Sequence, residues 1–221
     1  MSIKFTHILL LLGSIVFQTA IVFAQVNTSI QQTALQTLQL NHKKLGFAAS
    51  DIESPVITDS YTSAGEKVSH VYIGQTYAGI EVQGAVANFN IAPNGQVFSW
   101  YQSFVKNIAA KINTTKPKIT REAAIKTAAL AMGLPKPSNL KLLKKQPLPN
   151  QYALYNTGDI SQENIPVKLM YFIPEGSEKA FLSWNLNINP ATGGNWLDLW
   201  IDAIDGSLLG TISWTKNCQF E

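Results

Sequence analysis

The sequence predicts an α+β fold of two units, each a helix packed on an antiparallel sheet. Three observations carry that prediction. An amphipathic helical pattern precedes runs of alternating apolar and polar residues; the runs are joined by tight turns such as Pro93-Asn94-Gly95 and Asp205-Gly206; and the same order, helix then hairpins, recurs in the second half. The match between halves is one of order and turn chemistry only.

The first 24 residues, MSIKFTHILLLLGSIVFQTAIVFA, combine a basic start at Lys4, an apolar core from Ile8 to Val16 and small residues ahead of Gln25. They predict a secretory signal peptide, residues 1–24, cleaved before Gln25. Gln18 and Thr19 interrupt the apolar run, which ranks a membrane anchor second, and no later run is long enough for a stable membrane span. The chain is expected outside the cell.

The first helix starts near Thr28 or Ser29 and places Leu35, Leu38, His42 and Leu45 on one face. Lys43 and Lys44 suit its negative end, and Gly46 stops it. His42, at the edge of the apolar face, reads as a boundary histidine. Strands follow at 68–73 and 76–82, with Gly79 at a turn or bulge. In AVANFNIA, Ala85, Ala87, Phe89 and Ile91 share one face while Asn88 and Asn90 share the other. The return strand QVFSWY puts Phe98 and Trp100 together.

The second helix opens at Thr120, which caps, with Glu122 at the positive end, and its alanine-rich body can lie close against a sheet. Gly133 and Pro135 end it. The proline- and lysine-rich stretch from Lys136 to Pro149 reads as a loop. Strands return at 167–173, 181–188, 196–203 and 207–214.

Of the 221 residues, 46% are apolar and only 14% charged, which favours a core-forming chain over a disordered one; a net charge of +3 makes no strong field. Lys141, Lys144 and Lys145 lack interleaved aromatic residues, so a solvated segment is preferred to a nucleic-acid patch. The histidines are His7, His42 and His70, and none belongs to a His-Glu-x-x-His pattern; no Gly-x-Ser-x-Gly elbow or phosphate loop occurs. Asp198 and Asp202 share a strand face and could pair as acid and base, or with Asp205 hold calcium, but turn and solvent-face roles account for all three. Among the tryptophans Trp184 reads as core, while Trp196 and Trp200 stay open between core and a sugar- or lipid-binding platform. The single cysteine, Cys218, forms no internal disulfide. Asn27-Thr28-Ser29 and Asn113-Thr114-Thr115 match glycosylation acceptors.

Several features in combination resemble the propeptide of fungalysin-type (family M36) zinc metalloproteases: Leu45-Gly46, Asp51-Ile52, Asp59-Ser60-Tyr61, His70-Val71-Tyr72, Gln75, Gly79-Ile80-Glu81-Val82 and the Asn94-Gly95 hairpin. The second half, with ITREAAIKTAALAMGL, LSWNLNI and LWIDAIDGSLLG, resembles a PepSY-type propeptide module. The resemblance implies two cystatin-like α+β units, an N-terminal helix plus propeptide domain over 25–112 and a PepSY-like module over 113–221. It implies a non-catalytic prodomain that acts as chaperone and inhibitor of an M36-type catalytic domain, in cis or in trans, with no enzyme activity of its own. No cofactor is expected in this chain; the zinc would belong to the catalytic domain, which the resemblance places after this region. Candidate protease-contacting residues are Gly79, Ile80, Glu81, Val82 and Gly84, and Cys218 is a junction thiol that could cap the zinc, pair with a cysteine outside the chain or stand by. The alternative is a stand-alone exported module that binds protein, sugar or lipid; no nucleic acid is expected as a partner.

Overall fold

The computed structural model describes residues 29–147 and 149–215. The signal peptide, Asn27, Thr28 and Cys218 lie outside the described residues. The described chain forms two compact units that interleave along the sequence, the first built from 29–46, 57–73 and 86–103, the second from 47–56, 74–85 and 104–215. Neither matches the sequence ranges 25–112 and 113–221.

The first unit contains helix α1 (29–41) and stretches of four strands: β1 (Val56–Thr62), β2 (Ser69–Tyr77), β3 (Ile80–Ile91) and β4 (Val97–Gln102). They pair in the order β1-β2-β3-β4, and β3 and β4 run antiparallel. Ala34 and Leu38, one turn apart on α1, are buried, as are Val71, Ile73, Ala87, Phe89 and Ile91. The predicted alternation in β3 holds. The helix stops earlier than the lysines suggested, at residue 41, and Gly46 closes the following turn at φ +77° with its N–H on the Lys43 carbonyl. Phe98 and Trp100 do not share a face. The register shifts between the pairs Asn90–Ser99 and Ile91–Val97, which leaves Phe98 58% exposed, while Trp100 stacks on Phe89 at 5.2 Å.

The inward side of β3 changes phase at Gly84. Ile80 and Val82 are buried, then Ala85 and Ala87, and the exposed residue between the two sets has φ +71°. A period-two strand can shift phase only by inserting a residue, and glycine takes the left-handed conformation without a Cβ clash.

The second unit holds α2 (Ile108–Lys111), α3 (Arg121–Ala131), β5 (Leu142–Lys145), β6 (Ala153–Tyr155), β7 (Ile165–Phe172), β8 (Phe181–Ile188), β9 (Leu197–Asp202) and β10 (Leu208–Ser213). These strands form an antiparallel sheet in sequence order, and the start of β3 adds a parallel contact to β7 at Val82–Tyr171. Thr120 caps α3 as expected, its hydroxyl accepting from the Ala123 N–H at 3.2 Å. Ala124, Ile125, Ala128 and Ala129 are buried where α3 packs over β8, β9 and β10. The stretch read as a loop contains β5, an edge strand exposed at every position. No helix among the described residues is long and apolar enough to cross a membrane.

Candidate functional site

The stretch Gly79–Gly84 begins as a tight hairpin turn. Ala78 and Gly79 both have positive φ, +50° and +73°, the pairing that matches strand twist in a two-residue loop. Ile80 and Val82 are core residues, each 3% exposed. Glu81 points outward and pairs with Lys168 on β7 at 3.1 Å. Within the stretch, Glu81 supplies the outward charge and Gly84 the exposed backbone.

The aspartates separate into structural roles. Asp202 is 5% exposed and its Oδ1 accepts the Ile204 N–H at 2.6 Å, while Asp205 Oδ1 accepts from Ser207 at 2.8 Å, a bond that holds the Asp205 carboxyl below its ordinary pKa. Asp198 accepts from Asn187 at 2.9 Å and from the Trp214 indole at 3.0 Å. Among the described residues no group of three or more His, Cys, Asp or Glu converges as a metal-ligand set, so the calcium candidate is not assembled.

The tryptophans divide in the same way. Trp184 is core; it donates to the Ile119 carbonyl at 3.1 Å and carries the Arg121 guanidinium 5.4 Å from its ring. Trp200 is also core, 1% exposed and stacked on Phe172 at 4.9 Å. Trp196 is half-buried beside Trp214, 6.4 Å away and 58% exposed. Both indole N–H groups of that pair are engaged, Trp196 with Asn187 and Trp214 with Asp198.

The outward face of the first unit holds an arrangement that was read from sequence only as a polar strand face. A row of side chains crosses all four strands: Tyr61 on β1, His70 on β2, Asn90 on β3 and Ser99 on β4. The Tyr61 ring stacks on His70 at 4.9 Å; His70 Nδ1 lies 2.8 Å from Asn90 Oδ1; Asn90 Nδ2 donates to Ser99 Oγ at 2.8 Å. With Asn90 so oriented, His70 donates from Nδ1. Tyr72 lies 6.3 Å from Tyr61, and hydrogen bonding to Tyr72 holds the Tyr61 hydroxyl above its usual pKa. Tyr101, opposite Asn88 on β4, is 69% exposed. None of these groups forms a nucleophile–base pair. Tyrosine, serine, asparagine and histidine held in a fixed row are suited to recognising another protein: rigid rings supply contact area at low entropy cost, and the polar tips hydrogen-bond. His42 plays no part in this row; its Nδ1 lies 2.6 Å from the Gln39 carbonyl.

Residues 55–104, which contain the whole row, match the family model described as the fungalysin/thermolysin propeptide motif. The chain is 30% identical over 155 residues to an extracellular metalloproteinase of Pyrenophora tritici-repentis, a match covering 69% of this chain and 23% of that protein. It is 29% identical over 154 residues to extracellular metalloproteinase 2 of Phaeosphaeria nodorum, covering 68% and 23%. The chain spans about a quarter of the length of these relatives. Among solved structures, the Bacillus megaterium YpeB C-terminal domain aligns with 86% of this chain and 66% of its own at 14% identity, with a TM-score of 0.39, too loose a likeness to argue from.

Proposed function

We propose that this chain, which carries a fungalysin/thermolysin propeptide motif and is related over about 70% of its length to fungal extracellular metalloproteinases of the M36 kind, is a non-catalytic prodomain. Its role is to help a zinc metalloprotease domain fold and to hold it inactive, outside the cell, in cis or in trans. The supporting observation is that the motif's residues fold into the strand set carrying the Tyr61–His70–Asn90–Ser99 row, a surface built for contact. The two units are then of the cystatin-like kind, each offering one sheet. Zinc would be held by the protease domain, whose His-Glu-x-x-His pattern does not occur in these 221 residues.

A prodomain needs no reactive group. It needs a rigid complementary face, and stable interfaces bury on the order of 1,600 Å² in total, within reach of a chain this size. The test is to refold denatured catalytic domains of several fungal extracellular metalloproteinases with and without this chain, and to titrate the chain into the native enzymes. A rise in recovered activity together with inhibition is expected; neither effect on any of them would overturn the reading.

A second reading is a stand-alone exported module binding protein, sugar or lipid, favoured by the Trp196–Trp214 pair on the second unit. It requires ligand-induced shifts in tryptophan fluorescence with no effect on any protease.

A further inference from the structure

The second unit contains a groove that neither the propeptide motif nor the predicted site includes. At one end is a cleft of about 460 Å³ lined by Arg121, Lys145, Gln146, Pro147 and Gln151. Arg121 is fixed there. Its Nε donates to the Gln151 carbonyl at 3.0 Å, its Nη2 to Gln151 Oε1 at 3.3 Å, and its guanidinium lies over Trp184. The adjacent Glu122 does not line the cleft; its carboxylate accepts from the Tyr155 hydroxyl and feels the Arg121 charge. No aspartate or glutamate lines this first cleft, and the ion pair found among the described residues, Lys168–Glu81, lies outside it. A guanidinium held by stacking and two hydrogen bonds has lost its freedom before a ligand arrives, and its remaining N–H groups fit the two oxygens of a carboxylate.

Gln146 also lines a second cleft of about 290 Å³, walled by Asn150, Tyr152, Pro166, Lys168, Asn185, Asn187 and Asp198, whose carboxylate is held by Asn187 and Trp214. Gln146 is the residue that the two clefts share. Half of the second cleft's lining is amide side chains; Asn187 is taken up by Asp198 and Trp196, Asn185 Nδ2 by the Leu199 carbonyl and Asn150 Oδ1 by the Tyr152 N–H, which leaves Asn150 Nδ2, Asn185 Oδ1 and the Gln146 amide to face the cleft. Each amide carries a donor and an acceptor in the geometry of a peptide group, so a row of them can hydrogen-bond a main chain whatever its sequence.

We propose that this groove binds an extended polypeptide segment, with an acidic side chain seated between Arg121 and Lys145 and its main chain met by Gln146, Asn150 and Asn185. The proposal does not depend on the propeptide reading, because it names a ligand for the second unit whatever protein supplies it.

The test is fluorescence anisotropy of the full chain with three labelled nonapeptide pools, randomised except for a central Glu, Gln or Lys. The Glu pool is expected to bind at least ten-fold tighter than the Lys pool. Lys145→Gln, an exposed position whose change leaves the fold intact, and Arg121→Gln should each erase that preference, while Asn185→Ala should weaken the Glu and Gln pools alike. Equal binding of all three pools, or a preference untouched by Lys145→Gln, would overturn the proposal. Displacement of the Glu pool by millimolar inorganic phosphate, with no Asn185→Ala effect, would reduce the site to an oxyanion pocket and overturn the peptide groove.

Discussion

Asp51 and Ile108 are joined across 57 positions of sequence: the buried Oδ1 of one accepts the backbone N–H of the other at 2.9 Å and caps helix α2. Oδ2 takes the N–H groups of Ala48 and Asn107, both at 2.9 Å. Gln75 completes the knot, donating to the Asp51 and Val105 carbonyls while its Oε1 accepts the Val105 N–H. Asp51 and Gln75 thus hold a junction of the second unit. Asp51→Asn keeps the shape but replaces one accepting oxygen with a donor facing a backbone N–H, and should cost about 2–3 kcal/mol; Asp51→Ala, leaving the buried Ile108 N–H and the part-buried N–H groups of Ala48 and Asn107 without their acceptor, about 3–5 kcal/mol. Urea denaturation checks both, and a loss under about 1 kcal/mol in Asp51→Ala would show that the cap is dispensable.

The β2–β3 turn predicts an ordered pair of effects. A Cβ on Gly79 would sit 2.5 Å from Pro149 Cγ, and the residue has φ +73°. One on Gly84, at φ +71°, meets nothing within 4 Å. Gly84→Ala should therefore cost only the conformational term, about 1–2 kcal/mol, and Gly79→Ala that term plus an overpacking term of about 1–3 kcal/mol. Ala78, at φ +50°, is the wrong residue for its conformation, so Ala78→Gly should stabilise by about 1 kcal/mol. Thermal unfolding should place Ala78→Gly highest, Gly84→Ala below it and Gly79→Ala lowest.

How far the fold could be read from sequence depended on burial. Strands with one wet and one dry face announced themselves, as β3 and β8 did, and so did the cap at Thr120. Two of the edge strands, β1 and β5, did not. In β1 and β5 nearly every side chain is exposed, so no alternation marks them, and the Leu-Leu-Lys-Lys run of β5 reads as a solvated loop. The Tyr61–His70–Asn90–Ser99 row was hidden for a different reason. Its residues were in view, but their alignment follows from cross-strand register, which one sequence does not fix. The glutamines and asparagines that line the two clefts of the second unit carried no signal at all, since polar loops and polar grooves share a composition.

Two tyrosines set the alkaline limit. Burial, the hydrogen bond to Glu122 and that residue's charge push Tyr155 up to about 12, and burial with the nearby Tyr77 does the same for Tyr171. A raised folded-state pKa means that the folded protein holds the proton more tightly than the unfolded chain. This contribution is complete below the unfolded tyrosine value near 10 and drains away as pH rises through about 12. Stability should fall between those limits, and absorbance titration near 295 nm should show these two hydroxyls ionising late. The Tyr155→Phe and Tyr171→Phe double variant should flatten the fall.

The outward row of the first unit makes the sharpest functional prediction. If it is the face that meets a protease domain, substitutions there should weaken inhibition without touching the core. Tyr101, 69% exposed, is the cleanest position, because its side chain can be changed without removing packing from the interior. Tyr101→Asp places a new charge on the exposed β4 end of this face, and burying that charge unpaired should raise the inhibition constant at least ten-fold. His70→Ala removes both the stacking partner of Tyr61 and the donor to Asn90, so it should loosen the row as a unit. The two changes differ in what they leave behind: Tyr101→Asp should keep the unfolding midpoint within a degree or two of the parent, whereas His70→Ala should lower it slightly while releasing the same inhibition. Inhibition unchanged in both variants would move the contact off this face, and the groove around Arg121 would then be the next surface to alter.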